Sequence, residues 1–289
     1  MQLYFRELNS KDIPAILDIS KDIWEGDDYV PKVIERWLQE KGCMNYGTFI
    51  DQEKKELIGF GRIKFFPNGI AWLEGGRVKV SYQKKGVGRE QLKYAIAYAR
   101  KSGADIVQYD TSSKNYGSIA LAEYFGFKLR KRMEVLSCKT EDLKISEMHI
   151  TGVSQINLED AKKLYGKLNI GSGDEVCIGW SYIPLQFLKE EGSTWFKNSN
   201  AILHKMDLRN RDGAEIPDER TIWLITYGNP ISIRKLIIFT ILSELRSREI
   251  DRFVIFCNPD VVNNVKEFGF SYWENEPFGV VLFEKKLKK

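Results

Sequence analysis

Apolar positions in the first part of the chain switch between a period of two and helical spacing. Leu3-Tyr4-Phe5-Arg6-Glu7-Leu8 reads as a strand that turns at Asn9-Ser10. Ile13, Ile16 and Leu17 then follow helical spacing toward Ile23 and Trp24. Ser10 is the capping residue of that helix, and Pro14 falls in its first turn, where little donor capacity is lost. After a loop over residues 25–30, Pro31 suits the first position of a second helix, which turns Val33, Ile34, Trp37 and Leu38 inward and stops at Gly42. Residues 46–50, 57–66 and 71–80 are strand-like and separated by charged or Pro-Asn-Gly turns. A helix follows with Leu92, Ala95, Ile96 and Ala99 on one face and Gly103 past its end. Residues 106–109 form another strand, 118–125 a short helix stopped by Gly126, and 133–138 a last strand.

From about residue 139 the pattern restarts. Leu158, Ala161, Leu164 and Tyr165 mark a helix, residues 195–206 contain strand material, and 209–219 are polar. Residues 221–227 form an apolar strand, after which Asn229-Pro230 open a helix running through Leu236, Phe239, Ile241 and Leu245. A strand at 253–257 and a helix at 261–268 close the series at Gly269. Asp105-Ile-Val-Gln-Tyr leading to Glu123-Tyr124-Phe125-Gly126-Phe127 is echoed by Asp251-Arg-Phe-Val-Ile leading to Lys266-Glu267-Phe268-Gly269-Phe270. The shared order of strand, helix, strand, helix and Phe-Gly-Phe favours duplication over coincidence. The expectation is therefore an α+β fold of two domains, 1–138 and 139–289, each a mixed, mostly antiparallel twisted sheet flanked by helices.

Composition narrows the class. Hydrophobic residues are 43% and charged residues 29%, ordinary for a folded chain. The net charge of +4 is too small for a dedicated nucleic-acid binder, and the basic patches at Arg130-Lys131-Arg132 and residues 285–289 read as solvated surface. No apolar run approaches the ~18 residues of a membrane span, and Arg6 and Glu7 come too early for a secretory leader. Cys43, Cys138, Cys177 and Cys257 form no C-x-x-C pair and have only His149 and His204 as possible co-ligands, which argues against a zinc site or a disulfide framework. A cytoplasmic chain, monomer or homodimer, without metal, nucleic-acid or membrane partners, is the expectation.

The chemistry concentrates between Trp72 and Arg89. A strand runs into a loop with Gly86 and Gly88, and the loop opens an amphipathic helix. Free amides at a helix N-terminus make an anion site, glycines allow close backbone approach, and Lys84, Lys85 and Arg89 add positive charge. A pyrophosphate is the natural ligand; the alternative is a tight loop with no ligand. A Walker A loop is excluded because no Gly-Lys-Ser/Thr follows, and a dinucleotide fingerprint because Gln91 stands where its third glycine belongs.

Gln83-x-x-Gly86-x-Gly88, with Val78 and Tyr82 at the hydrophobic and aromatic positions before it, resembles the acetyl-CoA motif of the GNAT superfamily of N-acetyltransferases. Asn115, Ser118 and Gly126-Phe127 resemble that family's downstream Asn-x-x-Ala…Gly-Phe segment, with Ser in place of Ala, and the likeness covers about residues 2–138. The resemblance implies acetyl-CoA as co-substrate. Gln83, Lys84, Lys85, Gly86, Val87, Gly88 and Arg89 would then hold its pyrophosphate, and the backbone of Val78, Lys79 and Val80 would pair with its pantetheine arm. Asn115 and Ser118 would sit on the pantetheine side. Gly75-Gly76 suits a bulge in the preceding strand or simple close packing.

For acetyl transfer to an amine, Glu74, placed by period-two alternation on the face of Val78, is the base candidate, its other reading being a surface carboxylate. The acid is less defined. Family members often carry Tyr four residues before the Gly of Gly-Phe, where this chain has Ala122. Tyr124 is the nearest phenol, although it lies ~200° around the helix from that place, and Tyr116 or water could substitute. Trp24, Asp28 and Tyr29, between the first two helices, offer acids and aromatics to a cationic acceptor, or form an ordinary solvated loop. Asp28-Tyr29-x-Pro31 with Trp37-Leu38 also resembles vertebrate histidine N-acetyltransferase-like proteins.

In the second half only Gly228-Asn229 separate strand from helix, so the resemblance implies a degenerate GNAT-like domain lacking the pyrophosphate loop. The reading is an N-acetyltransferase acting on a primary amine of a small molecule or amino acid. The alternatives are a catalytically weak acetyl-CoA-binding regulatory protein, suggested by Ala122, or a transferase acting on a protein amine.

Overall fold

The structure, a computed structural model, describes residues 1–145, 150–168, 174–190, 192–206 and 220–287 of the 289-residue chain. The polar stretch 209–219, His149 and the last two lysines of the sequence reading lie outside the described residues.

The elements run in the order β1 (Tyr4–Glu7), α1 (Ile13–Ser20), α2 (Val30–Gln39), β2 (Cys43–Phe49), β3 (Leu57–Phe65), β4 (Ile70–Val78), α3 (Val87–Lys101), β5 (Ile106–Ser112), α4 (Tyr116–Tyr124) and β6 (Lys128–Lys139). They continue with β7 (Ser154–Ile156), α5 (Leu158–Lys167), β8 (Glu175–Cys177), β9 (Tyr182–Pro184), β10 (Ser193–Asn198), β11 (Ala201–Met206) and β12 (Thr221–Gly228). The last elements are α6 (Pro230–Ser247), β13 (Arg252–Cys257), α7 (Val262–Lys266), β14 (Ser271–Tyr272) and β15 (Gly279–Lys286). The α+β reading holds, with caps that differ in detail. Asn9, not Ser10, opens the first helical stretch: its side chain accepts from the Lys11 amide while Asp12 reaches back in a capping box.

The chain divides into two compact units that do not follow the linear boundary at residue 138. The first unit comprises Met1–Tyr109, Gly117–Lys128 and the stretch from Phe283; the second comprises Asp110–Tyr116 and Leu129–Leu282. The final strand thus crosses back to the first unit, where its end lies beside β5.

In the first unit the strand order is β1-β2-β3-β4-β5, antiparallel except for the parallel pair β4/β5. Helices α1 and α2 cover one face through a core of Ile16, Ile19, Val33, Ile34, Trp37, Phe49 and Phe60. The apolar stripe of α3 buries Ala95, Ile96 and Ala99. In the second unit β7-β10-β11-β12-β13 continues to β6, with β12/β13 the parallel pair, and α6 and α7 pack with β12 and β13 around Leu224, Ile237, Ile241, Phe253 and Ile255. The repeat read from sequence recurs locally: Gly126 and Gly269, at φ 74° and 93°, each end a short helix, and Phe127 and Phe270 are buried behind them.

Candidate active site

Strand β4 shapes the site. Glu74 pairs with Arg62 and Arg77 with Phe60, so Gly75 and Gly76 lie opposite the single residue Gly61, a β-bulge. Gly75 takes φ 64°, and a Cβ there would come within 2.6 Å of Trp37 Cζ3, so both the backbone conformation and the space require glycine. The extra residue resets the alternation. Glu74 and Arg77 both point to the α1/α2 side, where they bond Arg62 and Asp28, while Val78 points toward α3, its Cγ2 3.9 Å from where a Cβ on Gly88 would sit. Glu74 therefore does not share a face with Val78, as unbroken alternation predicts.

Pairing of β4 with β5 covers only Ile70 to Trp72; beyond that, β3 is the only strand paired with β4 among the described residues. The Val78 carbonyl accepts from Gln83 Nε2 at 3.2 Å, while the Lys79 amide turns to β3 and donates to Ile58 O at 2.9 Å. Lys79 Nζ pairs with Asp18 at 3.0 Å. Val80 is no longer on the strand. It begins a 3-10 turn, and its carbonyl accepts from the Gln83 amide at 3.1 Å, so the backbone edge expected at Val80 folds into the loop.

That loop ends at Gly86, at φ 84°, which opens α3 without a side-chain cap. The first intrahelical bond runs from the Glu90 amide to Gly86 O at 3.2 Å, so the amides of Val87, Gly88 and Arg89 have no acceptor within the helix. A Cβ on Gly88 would stand 3.5 Å from Leu121 Cδ1, in ordinary contact, so a side chain much larger than alanine would crowd this helix start. Gln83, Lys84, Lys85 and Arg89 are exposed around it, whereas the Val87 side chain is buried. Lys85 lies 5.4 Å from the Tyr82 ring, and the Tyr82 hydroxyl donates to Glu56 at 2.8 Å. The buried Gln91, which spoils the dinucleotide fingerprint, anchors α3: its Nε2 donates to Thr48 Oγ1 at 3.0 Å and Arg77 O at 3.1 Å.

The downstream residues divide. Asn115 is exposed, donates to Thr111 Oγ1 at 3.0 Å, and belongs with Asp110–Tyr116 to the second unit. Ser118 lies in α4, and its carbonyl accepts from the Tyr109 hydroxyl at 2.9 Å. Burial pushes that phenol up to about 12, against a smaller opposing effect of the Ser118 bond. Ala122 is fully buried. Tyr124 is 68% exposed with the Arg89 guanidinium 6.0 Å from its ring, which places it beside the helix start. Tyr116 is also exposed.

The acids and aromatics around residues 24–29 already hold a cation, and it is the chain's own. Arg77 donates from Nε and Nη2 to the two oxygens of Asp28 at 3.0 and 2.8 Å, and its guanidinium lies 4.4 Å from the Trp24 ring and 5.3 Å from that of Tyr29. The Asp28 side chain is fully buried, so its carboxylate cannot also meet an acceptor amine. Trp24, at φ 48° and 55% exposed, leaves its outer ring surface open.

Glu74 is likewise bound: its Oε1 accepts from Arg62 Nε at 2.6 Å, and 27% of its side chain remains exposed. Sequence reading missed Arg62, Arg77 and Gln91. For the arginines a signal exists, since Arg62 and Arg77 interrupt otherwise apolar strands, where a charge needs a partner.

The second unit repeats the strand–helix step with a different outcome. β12 and β13 stay paired from Thr221/Arg252 to Ile225/Phe256. Asn229 caps α6 by accepting from the Ser232 amide, and Pro230 removes a further donor. Gly228, at φ 119°, leaves no room for a Cβ, which would lie 2.2 Å from Asn200 O. Of the first three helical residues, Pro230 has no amide hydrogen and the Ser232 amide is already taken, which leaves less for an anion than at α3. Among the described residues no cluster of His, Cys, Asp and Glu could hold a metal ion, and no helix is long and apolar enough to cross a membrane.

Residues 13–127 match the model of the Acetyltransferase (GNAT) family. Among solved structures, the chain is similar to a GCN5-related N-acetyltransferase from Sphaerobacter thermophilus, at 10% identity and TM-score 0.62, over 99% of this chain and 96% of that one. It is similar to a second GCN5-related N-acetyltransferase, from Kribbella flavida, at 11% identity and TM-score 0.55, over 99% and 71%. A candidate acetyltransferase from Pyrococcus horikoshii matches at 19% identity and TM-score 0.56, over 99% and 90%. At these identities the structures speak to the fold alone. No curated protein matches the sequence.

Proposed function

We propose that the chain, whose residues 13–127 match the model of the acetyltransferase (GNAT) family, is a member of the GNAT superfamily and moves the acetyl group of acetyl-CoA to a primary amine of a small molecule or amino acid. One observation supports this most: β4 parts from β5 after Trp72 and leads to a helix whose glycine start leaves three amides without intrahelical acceptors. The residues fit the co-substrate. The amides of Val87, Gly88 and Arg89 and the exposed Lys84, Lys85 and Arg89 would hold a pyrophosphate, and the freed edge of β4 up to Val78 would take an amide-bearing arm. When bound, acetyl-CoA supplies an activated acyl group.

The chain's own part is to orient, exclude water and take a proton. Glu74, hydrogen-bonded to Arg62 yet partly exposed, is the group on the α1/α2 face of β4 to accept a proton from the amine, directly or through water. The acceptor does not need to be a strong cation at Asp28, since Arg77 is there; the open ring of Trp24 suits an amine carried on an apolar or aromatic body. A second reading, a regulatory protein that holds acetyl-CoA with little turnover, draws on Ala122 at the usual phenol position and on the exposed place of Tyr124 away from it.

Calorimetric titration of the full chain with acetyl-CoA tests the assignment. One site per chain is expected, because α6 is capped and α3 is not. Gly88→Glu should weaken it at least tenfold, about 1.4 kcal/mol, by adding bulk and negative charge at the helix start. Unchanged affinity in that variant, or two sites per chain, would remove the basis of the reading.

A further inference from the structure

Arg62 stands on β3 with its side chain 1% exposed, and all its donors are placed. Nε donates to Glu74 at 2.6 Å; Nη1 to Trp37 O at 2.9 Å and to Asn45 Oδ1 at 3.3 Å; Nη2 to Glu40 at 2.5 Å and to Cys43 Sγ at 2.9 Å. Five N–H groups are what a guanidinium has, so this set leaves none over. Its Cζ lies 4.8 Å from the centroid of the Trp37 ring, the same ring that fills the space over Gly75. Glu40 in turn accepts from Lys64 at 2.9 Å. Burial alone would raise the Glu40 carboxyl, but the bonds and charges of Lys64 and Arg62 hold it below the usual range. The two carboxylates and two cations balance.

A buried arginine shared between two carboxylates is more than the sheet needs for stability, because apolar side chains of the same volume serve a core at least as well. What the arrangement does supply is a fixed carboxylate. Glu74 is tied through one oxygen to a guanidinium that cannot turn, at the residue just before the bulge, and it is partly exposed. We propose that Arg62 is the positioning residue for Glu74, and that Glu40 tunes it by taking a share of the Arg62 charge. This rests on the reading of Glu74 as the proton acceptor. Besides Arg62, the charged or titratable groups around it among the described residues include Lys64 on β3, Glu40 at the end of α2, Cys43 on β2, and Arg77 with Asp28 farther along the same face. Arg77 is paired with Asp28, Glu40 is shared between Lys64 and Arg62, and Arg62 is the cation that bonds Glu74 directly.

The test follows the carboxylate itself in the full chain. Protein labelled at the glutamate side-chain carboxyl carbon is titrated by NMR, and the Glu74 signal is identified as the one absent in Glu74→Gln. In Glu40→Gln the Glu74 midpoint should fall by on the order of one pH unit, because the whole Arg62 charge then acts on it. In Arg62→Met it should rise, by roughly one to three units. Should Arg62→Met fail to fold, Glu40→Gln alone decides, since Glu40 sits partly exposed at a helix end. A Glu74 midpoint that is the same in Glu40→Gln as in the parent overturns the proposal. Thiol release from acetyl-CoA with a panel of primary amines separates the two readings. Full activity in Glu74→Gln would sink Glu74 as the proton acceptor while leaving the NMR relation standing; lost activity with an unmoved midpoint would sink the tuning by Arg62 and Glu40.

Discussion

Arg77 carries a full charge to a position 8% exposed, and Asp28, across 49 residues of chain, makes that tolerable. Taking away one member of such a pair is far costlier than never having had it, because the survivor keeps its charge out of water. Asp28→Asn should therefore destabilise the first unit by about 3–5 kcal/mol, and adding Arg77→Gln should recover a good part of the loss. Denaturant unfolding of both variants checks this; a single variant as stable as the parent would mean the pair is exchanging with solvent. The same residues show how far side-chain chemistry can be read ahead of structure. The sequence offers Trp24, Asp28 and Tyr29 either to a cationic acceptor or to an ordinary solvated loop, and the structure puts the chain's own Arg77 there. That cation is not legible in the sequence, which gives no distance between position 28 and position 77. Arg62 is invisible for the same reason: its five acceptors come from three separate elements, α2, β2 and β4, and from both backbone and side chain.

At the scale of the element, the strand before the glycine loop was placed almost to the residue, and Gly75-Gly76 was read as suited to a bulge. One extra residue moves every later side chain to the other face, so Glu74 parts from Val78 and joins Arg77. Helix α3 was legible for the opposite reason, because its stripe of Leu92, Ala95, Ile96 and Ala99 and its glycine start are local signals that tertiary contacts did not override. The bulge gives a matched pair of tests. Gly75 has φ 64° and the Trp37 ring 2.6 Å from a would-be Cβ, whereas Gly76 has nothing within 4 Å and no positive φ. Gly75→Ala should cost about 1–3 kcal/mol through strain and a displaced Trp37, and Gly76→Ala should stay within about 0.5 kcal/mol of the parent. If thermal unfolding finds the two equal, the bulge does not hold Trp37, and its support of the Arg62 network falls with it.

At the scale of the molecule, the recurrence of strand, helix and Phe-Gly-Phe reads as duplication, and the division at residue 138 follows from treating each copy as a continuous piece. Strand pairing does not respect that continuity. β6 lies almost wholly with the second unit, where Glu134 to Lys139 pair with β13, and the chain's last strand returns to the first. In the first unit Phe283 stacks on Tyr109 at 5.6 Å, Glu284 accepts from Gln108 at 3.0 Å, Lys285 donates to Phe125 O at 2.7 Å, and the Leu287 amide donates to Asp105 O at 2.8 Å. Tyr109 in turn bonds the first part of α4, so β5 and α4 both rest on residues that the chain supplies last. Phe283→Ala leaves a cavity against Tyr109, worth about 3–5 kcal/mol for a buried Phe. Its effect should be felt in residues far away in sequence. Hydrogen exchange should quicken in β5 over Ile106–Tyr109 and in α4, and acetyl-CoA affinity should fall although residues 74–89 are untouched. If exchange quickens only within the second unit while Ile106–Tyr109 keep their protection, the returning strand is an ornament on the first unit, and the sequence boundary at 138 describes the folding units better than the contacts do.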